Sequence, residues 1–81
     1  MGTTPTPEEC GRKILAIFSR FNTGPNEMLR HGSLHSAFLD DGFRAAEFGT
    51  AVHWLEARGL VDTKGNATGP YFLTQAGFAA I

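Results

Sequence analysis

The stretch from Phe43 to Val61 constrains the fold more than any other part of the chain. At about 100° per residue, its apolar side chains fall on one side of a helix: Phe48, Ala51, Val52 and Leu55. Gly59 stands where a residue with a left-handed backbone would end that helix. Leu60 and Val61 then begin an extended run. The stretch therefore predicts an amphipathic helix over residues 43–58 that passes directly into a strand.

The length of 81 residues suits one domain and is too short for two. We predict a disordered tail over residues 1–5 and a single domain over residues 6–81. No apolar run approaches the roughly 20 residues that cross a bilayer, so we expect a soluble cytoplasmic protein without membrane contact. The single cysteine, Cys10, excludes an internal disulfide and suits a buried structural thiol.

Charge balance argues against the general basicity of many nucleic-acid-binding proteins. Seven Lys and Arg residues face eight Asp and Glu residues, which gives a formal net charge of −1. Contacts between cations and phosphates supply much of the affinity for nucleic acids. Any binding of this kind must therefore depend on where the few cations lie.

The first helix has a strong start signal. Thr6 can cap it, Pro7 fits the first helical position, and Glu9 completes a capping box. We expect this helix to run to about residue 21 and to end in the segment 22–25, with Gly24 as the terminator. Its predicted buried stripe contains Cys10 or Gly11, Ile14, Leu15, Ile17, Phe18 and Phe21.

The rest of the chain predicts a short second helix and a hairpin. Residues 26–32 fit either a short strand or a single helical turn. Ser33 is expected to cap a helix that runs to Leu39, with Leu34, Ala37 and Phe38 inside. Strands over residues 60–63 and 71–74 form a hairpin, followed by one helical turn within residues 75–81. Leu60, Phe72 and Leu73 would cover the core, and Trp54 would tuck beneath the hairpin against Tyr71 or Phe72.

Two local motifs resemble the winged helix-turn-helix superfamily, and its small bacterial or phage-type DNA-binding domains in particular. Residues 51–61, Ala-Val-His-Trp-Leu-Glu-Ala-Arg-Gly-Leu-Val, look like the end of a recognition helix that runs into the wing. Residues 72–78, Phe-Leu-Thr-Gln-Ala-Gly-Phe, are similar to the leucine-threonine-x-x-glycine that closes many wings. The expected fold is α+β, a three-helix winged helix-turn-helix with a C-terminal β-hairpin wing.

The resemblance implies a protein that binds double-stranded DNA, as a transcription regulator and in one version as a homodimer. The third helix would enter the major groove, with the acids Asp40, Asp41 and Glu47 at the edge of the surface. The outward positions of that helix carry few side chains that could contact bases. A helix face that is simply exposed to solvent is therefore an interpretation of equal weight to a DNA-binding surface. The candidate DNA-binding residues are Arg30, His35, Arg44, Thr50, His53, Lys64 and Asn66.

The superfamily also contains modules that bind proteins and not DNA, and aromatic residues favour this alternative. Trp, Tyr, Phe and Arg are enriched at protein interfaces. Trp54 is interpreted either as a core residue or as part of a partner surface. The candidate interface residues are Phe43, Trp54, Tyr71 and Phe78.

Metal binding and catalysis have little support in the sequence. His31 and His35 are four residues apart, which permits two ligands on one helical face, but Gly32 and a helix start at Ser33 weaken that geometry. The chain has no phosphate-binding glycine loop with its lysine and no catalytic triad. We therefore expect no metal, no cofactor and no enzymatic activity.

Overall fold

The computed structural model describes residues 5–65 and 69–81. Within these residues the chain forms four helices and three strands. Their bounds are α1 Pro7–Arg20, β1 Met28–Leu29, α2 His31–Asp40, α3 Ala45–Ala57, β2 Val61–Asp62, β3 Tyr71–Leu73 and α4 Gln75–Ala79.

Helix α1 begins as its sequence predicts. The Thr6 hydroxyl accepts a hydrogen bond from the Glu9 N–H, and the Glu9 carboxylate accepts one from the Thr6 N–H, each at 3.1 Å. The prediction that Gly24 ends this helix is wrong, because Asn22 takes the left-handed conformation directly after it, at φ +56°. Asparagine tolerates this conformation better than most residues. Phe21 is 43% exposed and lies outside the core, because the helix has already ended before it.

Helix α2 begins at His31, two residues before the predicted cap at Ser33. Segment 26–32 contains strand β1, so the strand alternative for this segment is right. Long-range contacts explain the early start, since Leu29 pairs with Tyr71 and His31 Nδ1 lies 2.8 Å from Tyr71 Oη. These contacts fix the backbone at the start of α2. The N-cap residue, Arg30, forms no capping hydrogen bond through its side chain.

Helix α3 carries the predicted buried stripe and ends as predicted. Phe48, Ala51, Val52 and Leu55 are all buried, and Gly59 has φ +71°. The extensive contact of α3 with α1 includes Trp54, whose ring lies across Gly11. A Cβ added at Gly11 would lie 2.5 Å from Trp54 Cε3. The expected position of Trp54 beneath the hairpin is therefore wrong.

The sheet has the antiparallel order β1-β3-β2, so the predicted hairpin gains a third strand. Phe72 pairs with both Met28 and Asp62. Tyr71 and Leu73 are buried, whereas Phe72 is only partly buried because side chains alternate across a strand. Phe72 therefore lies on the outer face of the sheet, and Tyr71 occupies the core in place of Phe72, for which a core position is predicted above.

Helix α4 closes the hairpin through a small hydrogen-bonded cluster. The Thr74 N–H donates to the Leu60 carbonyl at 3.2 Å, and Thr74 Oγ1 accepts from the Gly77 N–H at 2.9 Å. Thr74 Oγ1 also lies 2.8 Å from the Gly59 carbonyl oxygen. A Cβ at Gly77 would overlap the Leu60 carbonyl oxygen, so this position requires glycine.

The predicted fold class is confirmed. Three packed helices and a small antiparallel sheet enclose one core of apolar side chains, an α+β arrangement consistent with a winged-helix-like topology. Among the described residues, no helix has the length and apolar character that crossing a membrane requires.

Candidate nucleic-acid interface

The side of α3 that points away from the core forms an exposed ridge of four residues, Ala46, Thr50, His53 and Ala57. These positions lie opposite the buried stripe at about 100° per residue. Thr50 Oγ1 donates to the Ala46 carbonyl at 3.3 Å and keeps its acceptor positions. The ridge therefore offers two polar groups, the Thr50 hydroxyl and the His53 imidazole, between two methyl groups.

Two arginines stand at the starts of α2 and α3. Arg30 is the N-cap residue of α2, and Arg44 is the N-cap residue of α3. Both are exposed, and neither guanidinium forms an ion pair with any residue that the structure describes. The capping contact at Arg44 comes from the Glu47 carboxylate, which accepts from the Arg44 N–H at 2.8 Å. Both guanidinium groups are available to a phosphate.

The three cations of α1 are held in ion pairs. Arg12 pairs with Glu8 at 2.9 Å, and Asp41 accepts from both Lys13 at 3.2 Å and Arg20 at 3.1 Å. Hydrogen bonds from Lys13 and then from Arg20 lower the pKa of the Asp41 carboxyl. The surface of α1 therefore carries little net positive charge, and the cations without an acidic partner are on other elements.

The carboxylate of Glu47 accepts a hydrogen bond from the Arg44 N–H at the start of α3. Its charge contributes, after the larger effect of burial, to the raised pKa of the Cys10 thiol. Cys10 belongs to α1 and is 1% exposed. Asp41 is paired with two cations of α1, and Glu47 is bonded to the Arg44 N–H, so neither residue belongs to the exposed ridge of α3.

A groove of about 350 Å³ lies beside the ridge, between α2, α3 and the hairpin. All three histidines of the chain line it, namely His31 and His35 from α2 and His53 from α3. The other lining residues are Ala45, Phe48, Gly49, Val52, Glu56, Thr63 and Tyr71. The candidates His35 and His53 therefore come together in one surface feature.

The expectation that the helix start would separate the two histidines of α2 is wrong. Because α2 begins at His31, both rings lie on one face, stacked with their centroids 4.9 Å apart and their planes at 17°. Within residues 5–65 and 69–81, no group of three or more His, Cys, Asp or Glu side chains is placed to hold a metal ion.

Lys64 belongs to the turn that follows β2, whereas the candidate Asn66 lies outside the described residues. Lys64 has φ +55°, and its N–H donates to Asp62 Oδ1 at 2.8 Å. Its Nζ lies 5.0 Å from the centroid of the Phe72 ring, a cation–π contact on the outer face of the sheet. This contact directs the Lys64 ammonium along the sheet.

The four candidate interface residues have different environments. Phe43 is partly buried and stacks on Phe38 at 4.6 Å, and Tyr71 is only 1% exposed. Trp54 is partly buried, and the Arg58 guanidinium lies 4.4 Å from its ring centroid. Phe78 is 47% exposed and is the only one of the four on the open surface. These side chains therefore do not form one exposed aromatic stripe.

Three polar residues of the groove, His31, Glu56 and Thr63, are absent from the predicted sites. His31 is recognisable from its spacing to His35, but a helix that starts at Ser33 would place His31 before the helix and His35 on it. Glu56 and Thr63 carry no sequence signal, since their contact depends on how the hairpin folds back on α3. Thr63 Oγ1 donates to Glu56 Oε2 at 2.8 Å.

Comparisons with protein-family models, with curated proteins and with solved structures found no match to this chain. The arguments about function therefore depend on the residues and their placement.

Proposed function

We propose that this chain is a winged helix-turn-helix protein that binds double-stranded DNA and acts as a transcription regulator. Helix α3 would enter the major groove with Thr50 and His53 toward the bases, and Arg30 and Arg44 would contact phosphates on either side. The topology and the two motifs in the sequence support this reading.

The distribution of charge is the observation that carries the proposal. The three cations of α1 are held in ion pairs, whereas Arg30 and Arg44 stand at the helix starts without an acidic partner among the described residues. The net charge of −1 therefore does not describe the surface that would face DNA. Local cations are what phosphate contacts require.

Fluorescence anisotropy of a labelled duplex of about 20 base pairs, at about 50 and 200 mM salt, tests the proposal. We expect binding that weakens as salt rises. Replacing either Arg30 or Arg44 with Gln should weaken binding several-fold and reduce the salt slope by about 1, because one phosphate contact is lost. Arg12→Gln is the matched control, since Arg12 lies on α1 and pairs with Glu8. Equal effects of the three substitutions would refute this placement of DNA.

A protein-interaction module is the second candidate, and three exposed apolar side chains favour it. Phe21, Phe78 and Ile81 are 43%, 47% and 50% exposed. Phe78 and Ile81 also line a shallow depression beside the end of α1. This alternative predicts no salt-dependent DNA binding, together with a partner or a second copy whose binding is weakened by Phe78→Ser.

A further inference from the structure

The exposed ridge of α3 consists of four described residues, Ala46, Thr50, His53 and Ala57, and none of them is Arg, Lys, Asn or Gln. Those four residue types form the bidentate contacts that commonly distinguish guanine or adenine in the major groove. A helix with this ridge must therefore distinguish base pairs through single hydrogen bonds and apolar contacts.

Thr50 presents hydrogen-bond acceptors at the surface of this ridge. Its Oγ1 donates to the Ala46 carbonyl at 3.3 Å, and a hydroxyl has one proton to donate and two lone pairs that accept. The complementary donors in the major groove are the exocyclic amines, N6 of adenine and N4 of cytosine. Guanine O6 and N7 and thymine O4 are acceptors, which would face the lone pairs of the hydroxyl. Thr50 therefore favours contact with adenine or cytosine.

Ala46 adds an apolar contact one helical turn before Thr50. Four residues rise about 6 Å along a helix axis, which is close to two base-pair steps of about 3.4 Å. Both residues lie in the first half of α3, and a recognition helix contacts bases with its N-terminal residues. A methyl group there favours thymine, whose C5-methyl is exposed in the major groove. An acceptor for an amine, combined with a methyl contact, matches A·T pairs better than G·C pairs.

The neighbouring polar groups do not reverse this preference. Glu47 could accept from cytosine N4, but its carboxylate already accepts from the Arg44 N–H at 2.8 Å. The His53 ring presents a donor or an acceptor according to its tautomer, so it suits either base pair. Ala57 lies about 16 Å from Ala46 along the helix axis, beyond the half that meets the bases. The preference therefore depends on Ala46 and Thr50.

We propose that α3 selects A·T base pairs in the major groove, with Ala46 against a thymine methyl and Thr50 accepting from an adenine N6 amine. The inference rests on the proposed DNA binding and names the class of sequence that is recognised. The preference is about tenfold between A·T and G·C sites, because no bidentate contact reads a base. Arg30 and Arg44 supply affinity that is independent of sequence, since they contact phosphates.

Fluorescence anisotropy at constant salt tests the proposal with labelled alternating duplexes of about 20 base pairs, made of A·T, A·U, G·C or I·C pairs. The A·U duplex lacks only the thymine methyl. The I·C duplex (inosine lacks the N2 amine of guanine) keeps the major groove of G·C and resembles A·T in the minor groove. We expect the A·T duplex to bind about tenfold more tightly than G·C and I·C, and about threefold more tightly than A·U.

Ala46→Gly tests the methyl contact and should make the A·T and A·U duplexes bind equally. Ala57→Gly is the matched control, because it makes the same change at the other end of α3 and should keep the difference between these duplexes. Circular dichroism checks that each variant is folded.

Thr50→Val tests the acceptor, because it removes the hydroxyl and keeps the shape of the side chain. It should weaken binding to the A·T and A·U duplexes by the same factor, about fivefold, and keep the effect of the methyl group. Purine in place of adenine removes the N6 amine, so it should weaken binding of the wild type but not of Thr50→Val. Thr50→Ser keeps the hydroxyl and should remain sensitive to this replacement.

The outcomes separate this inference from the proposed function. Salt-dependent binding with equal affinity for all the duplexes would overturn the A·T preference and leave DNA binding standing. Equal affinity for I·C and A·T would place recognition in the minor groove and overturn the roles of Ala46 and Thr50. Tighter binding to G·C would overturn the inference and indicate Arg44 as a reader of guanine. No salt-dependent binding to any duplex would overturn the proposed function and this inference with it.

Discussion

Substitution of Gly77 by Ala tests how α4 closes the hairpin. The new Cβ would overlap the carbonyl oxygen of Leu60 and would lie 2.8 Å from Leu73 Cδ1. Neither neighbour can move easily, because the Leu60 carbonyl accepts the Thr74 N–H and the Leu73 side chain is fully buried. The overlap must therefore be relieved by shifting α4 away from the hairpin.

The expected loss of stability is about 3 kcal/mol. Overpacking of this kind costs up to about 3 kcal/mol. The lost bond between Thr74 and Leu60 adds about 1 kcal/mol. The higher helix propensity of alanine relative to glycine offsets about 1 kcal/mol of this destabilisation. A chain of this size has a free energy of unfolding of about 4–12 kcal/mol, so the loss is a large fraction of the total.

Urea unfolding followed by circular dichroism measures the difference, and thermal melting should show a Tm lower by more than about 10 °C. Gly49→Ala in α3 is the matched control, because no atom lies within 4 Å of its added Cβ. That substitution should raise stability by about 0.5–1 kcal/mol. A Gly77→Ala protein as stable as the wild type would refute the packing argument.

Three further substitutions or measurements test other contacts. Trp54→Ala should lower the free energy of unfolding in urea by about 2 kcal/mol. This loss is smaller than that expected for a fully buried tryptophan, because the ring is only partly buried against α1. A loss above about 4 kcal/mol would contradict partial burial. Asp41→Asn should lower stability at pH 6, and its difference from the wild type should vanish in acid. The folded-state pKa of Asp41 is lowered, so its stabilisation is present above the ordinary carboxyl pKa of about 4 and is lost as the pH falls through the folded value. A difference independent of pH would contradict the ion pairs. Cys10 should react slowly with a thiol reagent at pH 8 and rapidly in denaturant, because burial raises its pKa and shields it; equal rates would contradict its burial.

The sequence was sufficient to predict features whose interacting residues belong to the same helix or strand. The capping box at the start of α1 joins residues three apart, and the buried stripe of α3 follows helical periodicity. Gly59 ends α3 because the backbone there needs a positive φ. Each of these features depends on residues within a few positions of one another.

The candidate site was only partly visible in the sequence. Helical periodicity in α3 predicts that side chains such as Arg44 and His53 are exposed. It does not predict the groove, because the groove forms only where α2, α3 and the hairpin meet. The spacing of His31 and His35 was present in the sequence, but the expected cap at Ser33 placed them on different elements.

The sequence by itself determined the helical segments, the inner face of α3 and the glycine at its end, because these depend on local geometry. Only the tertiary structure decided that α2 starts at His31, because Leu29 and His31 are held by Tyr71, about 40 residues away. It also decided that Trp54 lies across Gly11 on α1, where the absence of a side chain leaves room for the ring. Contacts between segments far apart in sequence select among local alternatives of similar energy, and periodicity carries no information about them.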